Sequence, residues 1–165
     1  GKEIKITTIP YEFKGFMGMR NFIIQDSEGR KLAWANSNWT HLDISTGLPA
    51  RLTPADTDNY VLGEKMEMDY APRKIKLPED MIAQEAFTVQ KHHLDTNHHV
   101  NNCQYVCMAE DFLPESFKIY QMRAEYKMQA KLGDVICPKV KTETDKVVVS
   151  LDNIEGKAYA IVDLL

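Results

Sequence analysis

The feature that most constrains this fold is a segment that occurs twice. Gln25-Asp-Ser-Glu-Gly-Arg-Lys-Leu-Ala-Trp-Ala resembles Leu151-Asp-Asn-Ile-Glu-Gly-Lys-Ala-Tyr-Ala, and upstream Gly1-Lys-Glu-Ile resembles Gly133-Asp-Val-Ile. The upstream pair is offset by 132 residues and the Glu-Gly pair by 127, which predicts a first hairpin five residues longer than the second. Each match is short, so order and spacing at both ends carry the argument. A repeat of this size predicts two related units in tandem. The second runs from about Ala83 to Leu165, and the stretch from His92 to Leu113 has no counterpart in the first. The expected organisation is therefore an incomplete first unit over 1–68, a linker over 69–82 and a full second unit over 83–165. On that reading the first unit lacks its leading strand and helix.

The pattern within the units is that of strands around one helix. Lys2–Thr8, Phe13–Gln25 and Lys31–His41 have strand composition, with a turn at Asp26–Gly29. Thr53-Pro54 reads as an N-cap followed by proline at the first helical position, which predicts a short helix near Ala55–Tyr60. Asp69–Asp80, with Pro72 and Pro78, reads as an extended linker. Gln84–Lys91 reads as a strand. Val100–Leu113 is apolar on most sides, as in a helix enclosed by other structure, with Asn101 and Gln104 as a capping box and Pro114 as its stop. The period then changes: Met122, Ala124, Tyr126, Met128 and Ala130 alternate with polar residues as one buried face of a strand. Val135–Thr144, Lys146–Leu151 and Ala158–Leu164 continue as strands. The expected class is α+β: an antiparallel sheet wrapped around a central helix, the hot-dog arrangement, in tandem with the first unit incomplete.

Charge and composition narrow the function. A net charge of -4 and a pI near 5.7 exclude nucleic acid as the main partner. No apolar run reaches the roughly 18 residues of a membrane span, and no signal-peptide pattern opens the chain. Cys103, Cys107 and Cys137 fit neither a disulfide framework nor a zinc site. A reduced, cytoplasmic protein is expected.

The chemistry concentrates in His92-His-Leu-Asp-Thr-Asn-His-His-Val-Asn-Asn-Cys-Gln-Tyr105. Asp95, Asn97 and His99 stand at alternate positions just ahead of the helix. A carboxylate, an amide and an imidazole beside a helix N-terminus suit hydrolysis of a thioester. Its thiolate leaving group has a parent pKa near ~8.5, so a carboxylate that deprotonates water or attacks directly, with donors for the oxyanion, suffices. The same residues would equally form a turn and cap a helix. Four histidines, His92, His93, His98 and His99, raise a metal site. Neighbours on extended chain point to opposite faces, and no metal or other cofactor is expected. Cys103 and Cys107, one helical turn apart, read as core. The eight methionines suit core filling or a flexible acyl tunnel.

Leu94-Asp-Thr-Asn-His-His-Val-Asn-Asn-Cys-Gln-Tyr resembles the Leu-Asp-x-Asn-x-His-Val-Asn-Asn-x-x-Tyr signature of acyl-acyl carrier protein thioesterases, a family with two fused hot-dog units. Trp39-Thr-His-Leu-Asp with Arg51 is similar to the end of that family's first unit, and Glu125-Tyr-Lys-Met-Gln-Ala to the strand after its second helix. The resemblance implies a bacterial-type enzyme of fatty acid biosynthesis that releases free fatty acid, with Asp95, Asn97 and His99 as the catalytic set. Plant members carry a Glu-Cys pair where this chain has Gln129-Ala130, so a cysteine nucleophile is absent there. Gln129 is retained as a water-positioning candidate. The implied partner is acyl carrier protein with its phosphopantetheine-linked acyl chain, and a homodimer is compatible with an incomplete first unit. Arg73, Lys74 and Lys76 suit either docking of that acidic carrier or a solvated linker. The rival readings are a hot-dog acyl-coenzyme A thioesterase and a non-catalytic acyl-binding hot-dog module.

Overall fold

A computed structural model describes every residue from Gly1 to Leu165. The chain forms two compact units, Gly1–Ala71 and Pro72–Leu165. The first unit is an antiparallel sheet in the order β1 (Ile4–Lys14), β2 (Met17–Asp26), β3 (Lys31–Thr40), followed by the short helix α1 (Pro54–Thr57). Thr53 donates its backbone N–H and its hydroxyl to Asp56, fixing the first turn of α1. The second unit holds the two-residue strands β4 (Ile82–Ala83) and β5 (Phe87–Thr88), then helix α2 (Asn102–Glu110). The strands β6 (Met122–Tyr126), β7 (Val135–Thr142), β8 (Val147–Asp152) and β9 (Ala158–Leu164) follow. Its sheet runs β4-β7-β8-β9-β6, all antiparallel, with β5 also on β7.

The repeat is visible as strand register. Lys5 pairs with Gln25 as Cys137 pairs with Asp152, and Pro10 with Arg20 as Thr142 with Val147. Both correspondences hold the offset of 132 on the first strand and 127 on the second. Beyond them the first hairpin has residues 11–19 and the second 143–146, which is the five-residue difference. The following turns are also alike. Asp26 Oδ1 accepts the N–H groups of Glu28 and Arg30 at 3.0 and 2.9 Å. Asn153 Oδ1 accepts those of Glu155 and Lys157, both at 2.9 Å. Gly29 and Gly156, with φ of 81° and 77°, take the left-handed position that each turn requires. Leu32 and Tyr159 are the extra residues where the two registers shift. Trp34 thus corresponds to Ile161, not to Tyr159 as the Ala-Trp-Ala and Ala-Tyr-Ala match suggests.

One face of the second sheet packs on α2. Val147, Val149, Leu151, Ala160, Val162 and Leu164 meet Tyr105, Met108 and Ala109 in a single core. The helix is shorter than Val100–Leu113 and is covered on one side only. Asn102, Cys103, Cys107 and Glu110 are exposed, so the two cysteines are surface groups rather than core. Asn101 caps it by accepting the Cys103 N–H at 2.9 Å, and the helix ends at Glu110, before Pro114 could stop it.

The opposite face carries charges held in pairs: Lys139 with Asp152 at 2.8 Å, and Lys146 with the buried Asp163 at 3.0 Å. Pro72–Asp80 lies across that face as a strap, with Ile75 buried against Val148 and Ile161. In the first unit the segment near Met66–Tyr70 covers the equivalent face. There the buried Asn21, the counterpart of Val148, accepts the Met66 N–H at 3.0 Å and the Tyr70 hydroxyl at 3.2 Å.

Three further expectations are corrected. The strand predicted over Phe13–Gln25 is divided by a turn at Gly15, because the apolar residues flanking that turn hide it. Gln84–Lys91 holds only the two-residue strand Phe87–Thr88 rather than one continuous strand, and it runs into a 3-10 turn at Lys91–His93. The strand predicted over Met122–Ala130 stops at Tyr126, and Met122 and Tyr126 are exposed.

Candidate active site

The segment from Leu94 to Val100 is a closed loop. An antiparallel bridge joins Leu94 to Val100, and Asp95 donates its N–H to the His99 carbonyl at 2.8 Å. His98 donates to the Asp95 carbonyl at 3.1 Å and adopts φ 61°, a left-handed conformation that turns the chain back. Asp95 sits at the centre: its Oδ1 accepts the N–H groups of Asn97 at 2.8 Å and His99 at 3.3 Å. Asx geometry of this kind is why Asp-Thr-Asn folds locally into a turn. The turn-forming role open from sequence is therefore real, and it uses only one carboxylate oxygen. Oδ2 makes no hydrogen bond within the chain.

Asp95 and His99 are half-buried, and Asn97 and His98 are exposed. The structure thus brings Asp95, Asn97 and His99 into one five-residue loop. It engages Asn97 and His99 through their backbone N–H groups and leaves the amide and imidazole free. Helix α2 starts three residues after His99. Its cap occupies the Cys103 N–H, which reduces the donors available at that end.

Gln129 reaches this neighbourhood through the backbone. Val100 donates its N–H to the Ala130 carbonyl at 2.9 Å, and His99 bridges to Lys131. Ala130 is fully buried, so Gln129 and Lys131 on either side are directed outward and exposed.

Sequence reasoning missed the group that holds this second segment. The Tyr105 hydroxyl, buried inside the unit, accepts the Ala130 N–H at 2.9 Å. Asp134 Oδ2 accepts the Lys131 N–H at 2.9 Å and the Tyr159 hydroxyl at 3.1 Å. Burial raises the pKa of Tyr105, and burial followed by the Asp134 hydrogen bond raises that of Tyr159 to about 12, so both phenols stay protonated. The only sequence signal was the tyrosine that closes the motif. Behind the loop, His93 Nδ1 accepts the Gln90 N–H at 3.0 Å, and burial and His92 lower the His93 pKa. No three His, Cys, Asp or Glu side chains are gathered as a metal cluster.

The sequence model of the acyl-ACP thioesterase C-terminal domain matches residues 75–162, more than half of the chain and the whole of this site. The chain belongs to the acyl-ACP thioesterase family. No curated protein sequence matches it. Among solved structures it is similar to an acyl-ACP thioesterase from Bacteroides thetaiotaomicron, with a TM-score of 0.85 and 18% identity over 98% of this chain and 68% of that one. It is also similar to the 12:0-ACP thioesterase from Umbellularia californica, with a TM-score of 0.82 and 17% identity over 98% and 66%. The fold is accordingly the hot-dog fold of these thioesterases, and the chain spans about two thirds of their length. No helix is long and apolar enough to cross a membrane.

Proposed function

We propose that this chain hydrolyses fatty acyl-acyl carrier protein to free fatty acid and carrier thiol, as a step of fatty acid biosynthesis in the cytoplasm. The observation that carries the reading is the state of Asp95. One oxygen is fixed by two backbone N–H groups and the other is unengaged, in a loop directly ahead of a helix N-terminus. Fixing Oδ1 orients the carboxylate without neutralising it, so Oδ2 is presented as a base in a defined direction.

The chemistry follows from that geometry. Asp95 Oδ2 takes a proton from water as the water oxygen bonds to the thioester carbonyl carbon. The developing oxyanion is stabilised by the amide of Asn97 and the positive end of α2. Collapse breaks the C–S bond and expels the phosphopantetheine thiolate, which takes up the proton. His99 orients the acyl group, and Gln129, on the facing segment, positions the water. General base catalysis of this kind contributes about 10²–10⁴-fold.

The test is thiol release from matched acyl-acyl carrier protein and acyl-coenzyme A thioesters. The reading expects carrier-bound substrates to have the larger kcat/KM. Faster turnover of the coenzyme A series would assign the chain to acyl-coenzyme A hydrolysis. Binding of both without turnover would make it a non-catalytic acyl-binding module.

A further inference from the structure

The strap across the outer face of the second sheet is fastened along its length. Arg123 Nη2 donates to the Pro72 carbonyl at 2.6 Å, and Ile75 donates its N–H to Glu125 Oε2 at 2.9 Å while its side chain is buried. Lys141 pairs with Asp80 at the far end. Between these ties Arg73, Lys74 and Lys76 are exposed, and none of the three enters an ion pair. The cations of the sheet beneath differ: Arg123, Lys139, Lys141 and Lys146 each meet a carboxylate. In a chain of net charge -4 this is a local concentration of uncompensated positive charge on a fixed backbone. Ordinary linker lysines would lose conformational freedom on binding, whereas a strap already tied at three points has less to lose.

We propose that this strap is the docking surface for the acidic carrier protein, with Arg73, Lys74 and Lys76 contacting carboxylates of the carrier. The proposal rests on the acyl-acyl carrier protein reading above and names the surface that reading needs. Charge complementarity favours this occupant: an acidic protein surface can offer a carboxylate to each of the three unpaired cations.

The experiment is a binding titration of the full chain with carrier protein bearing an amide-linked, non-hydrolysable acyl-phosphopantetheine, at low and high ionic strength. The variant R73Q/K74Q/K76Q is compared with K2Q/K5Q/K14Q, which removes three exposed charges from the first unit. The strap variant is expected to raise Kd at least tenfold and to flatten its salt dependence, with the control changing less than threefold. Lys74→Glu alone should move Kd in the same direction. An unchanged Kd in the strap variant, equal losses in both triple variants, or no binding by the parent chain would overturn the proposal. Binding through the strap without hydrolysis of the true thioester would leave the docking surface standing and refute the enzymatic reading. Hydrolysis with strap-independent binding would do the reverse.

Discussion

In the proposed mechanism Asp95 would combine two roles that sequence reasoning treats as alternatives. Its Oδ1 closes an Asx turn and its Oδ2 is unengaged, so forming the loop would also present the proposed base. His98 shows what the loop costs locally. A side chain at φ 61° is strained by about 1–2 kcal/mol, and a β-branched residue there is worse. His98→Val is therefore expected to lower stability by about 1–2 kcal/mol, read by urea unfolding, whereas His98→Gly should be close to neutral. Tyr105 acts at the same scale on the facing segment. Tyr105→Phe leaves the Ala130 N–H buried without an acceptor, a loss of about 1–3 kcal/mol. It should also loosen the backbone beside Gln129, lowering kcat more than it changes KM. The Asx turn was legible in Asp-Thr-Asn because its partners lie two and four residues away. The Tyr105–Ala130 bond spans 25 residues, and no local pattern records it.

Among the elements, the strands from Val135 onward were legible because their alternation is packed on both sides. Helix α2 was harder to read. An apolar circumference reports a tendency to be buried, not which neighbour does the burying. Within this unit only the side bearing Tyr105, Met108 and Ala109 is covered, and Cys103 and Cys107 are left at the surface. The connection from Asp134 to Tyr159 gives the sheet end a pH dependence. Because the folded-state pKa of Tyr159 is raised from 10.0 to about 12, its contribution to stability is complete below pH ~10 and is lost as pH rises toward ~12. Urea midpoints should fall across that window and fall less in Tyr159→Phe, with part of the remaining slope due to Tyr105. Leu151, fully buried between sheet and helix, tests the core itself. Leu151→Ala is expected to cost about 2–5 kcal/mol in the same assay.

At the scale of the whole molecule, the tandem repeat is legible in the sequence because turn residues are constrained by backbone geometry. Asp26 and Asn153 accept the same two backbone N–H groups, and Gly29 and Gly156 take the same left-handed position. Trp34 misaligns by sequence because side chains on equivalent strand positions drift freely while register does not. Family membership then says which chemistry such a fold carries, and the loop at Asp95 points to the atom that would perform it. The most direct measurement is thiol release from acyl-acyl carrier protein by the parent chain and by Asp95→Asn, at matched folded concentrations. The side-chain amide oxygen that this substitution introduces can still accept the two N–H bonds that shape the loop, so the change removes the proposed base and keeps the turn. A fall in kcat of at least about a hundredfold, with carrier binding retained, is the predicted result. Turnover undiminished in the variant would contradict the account.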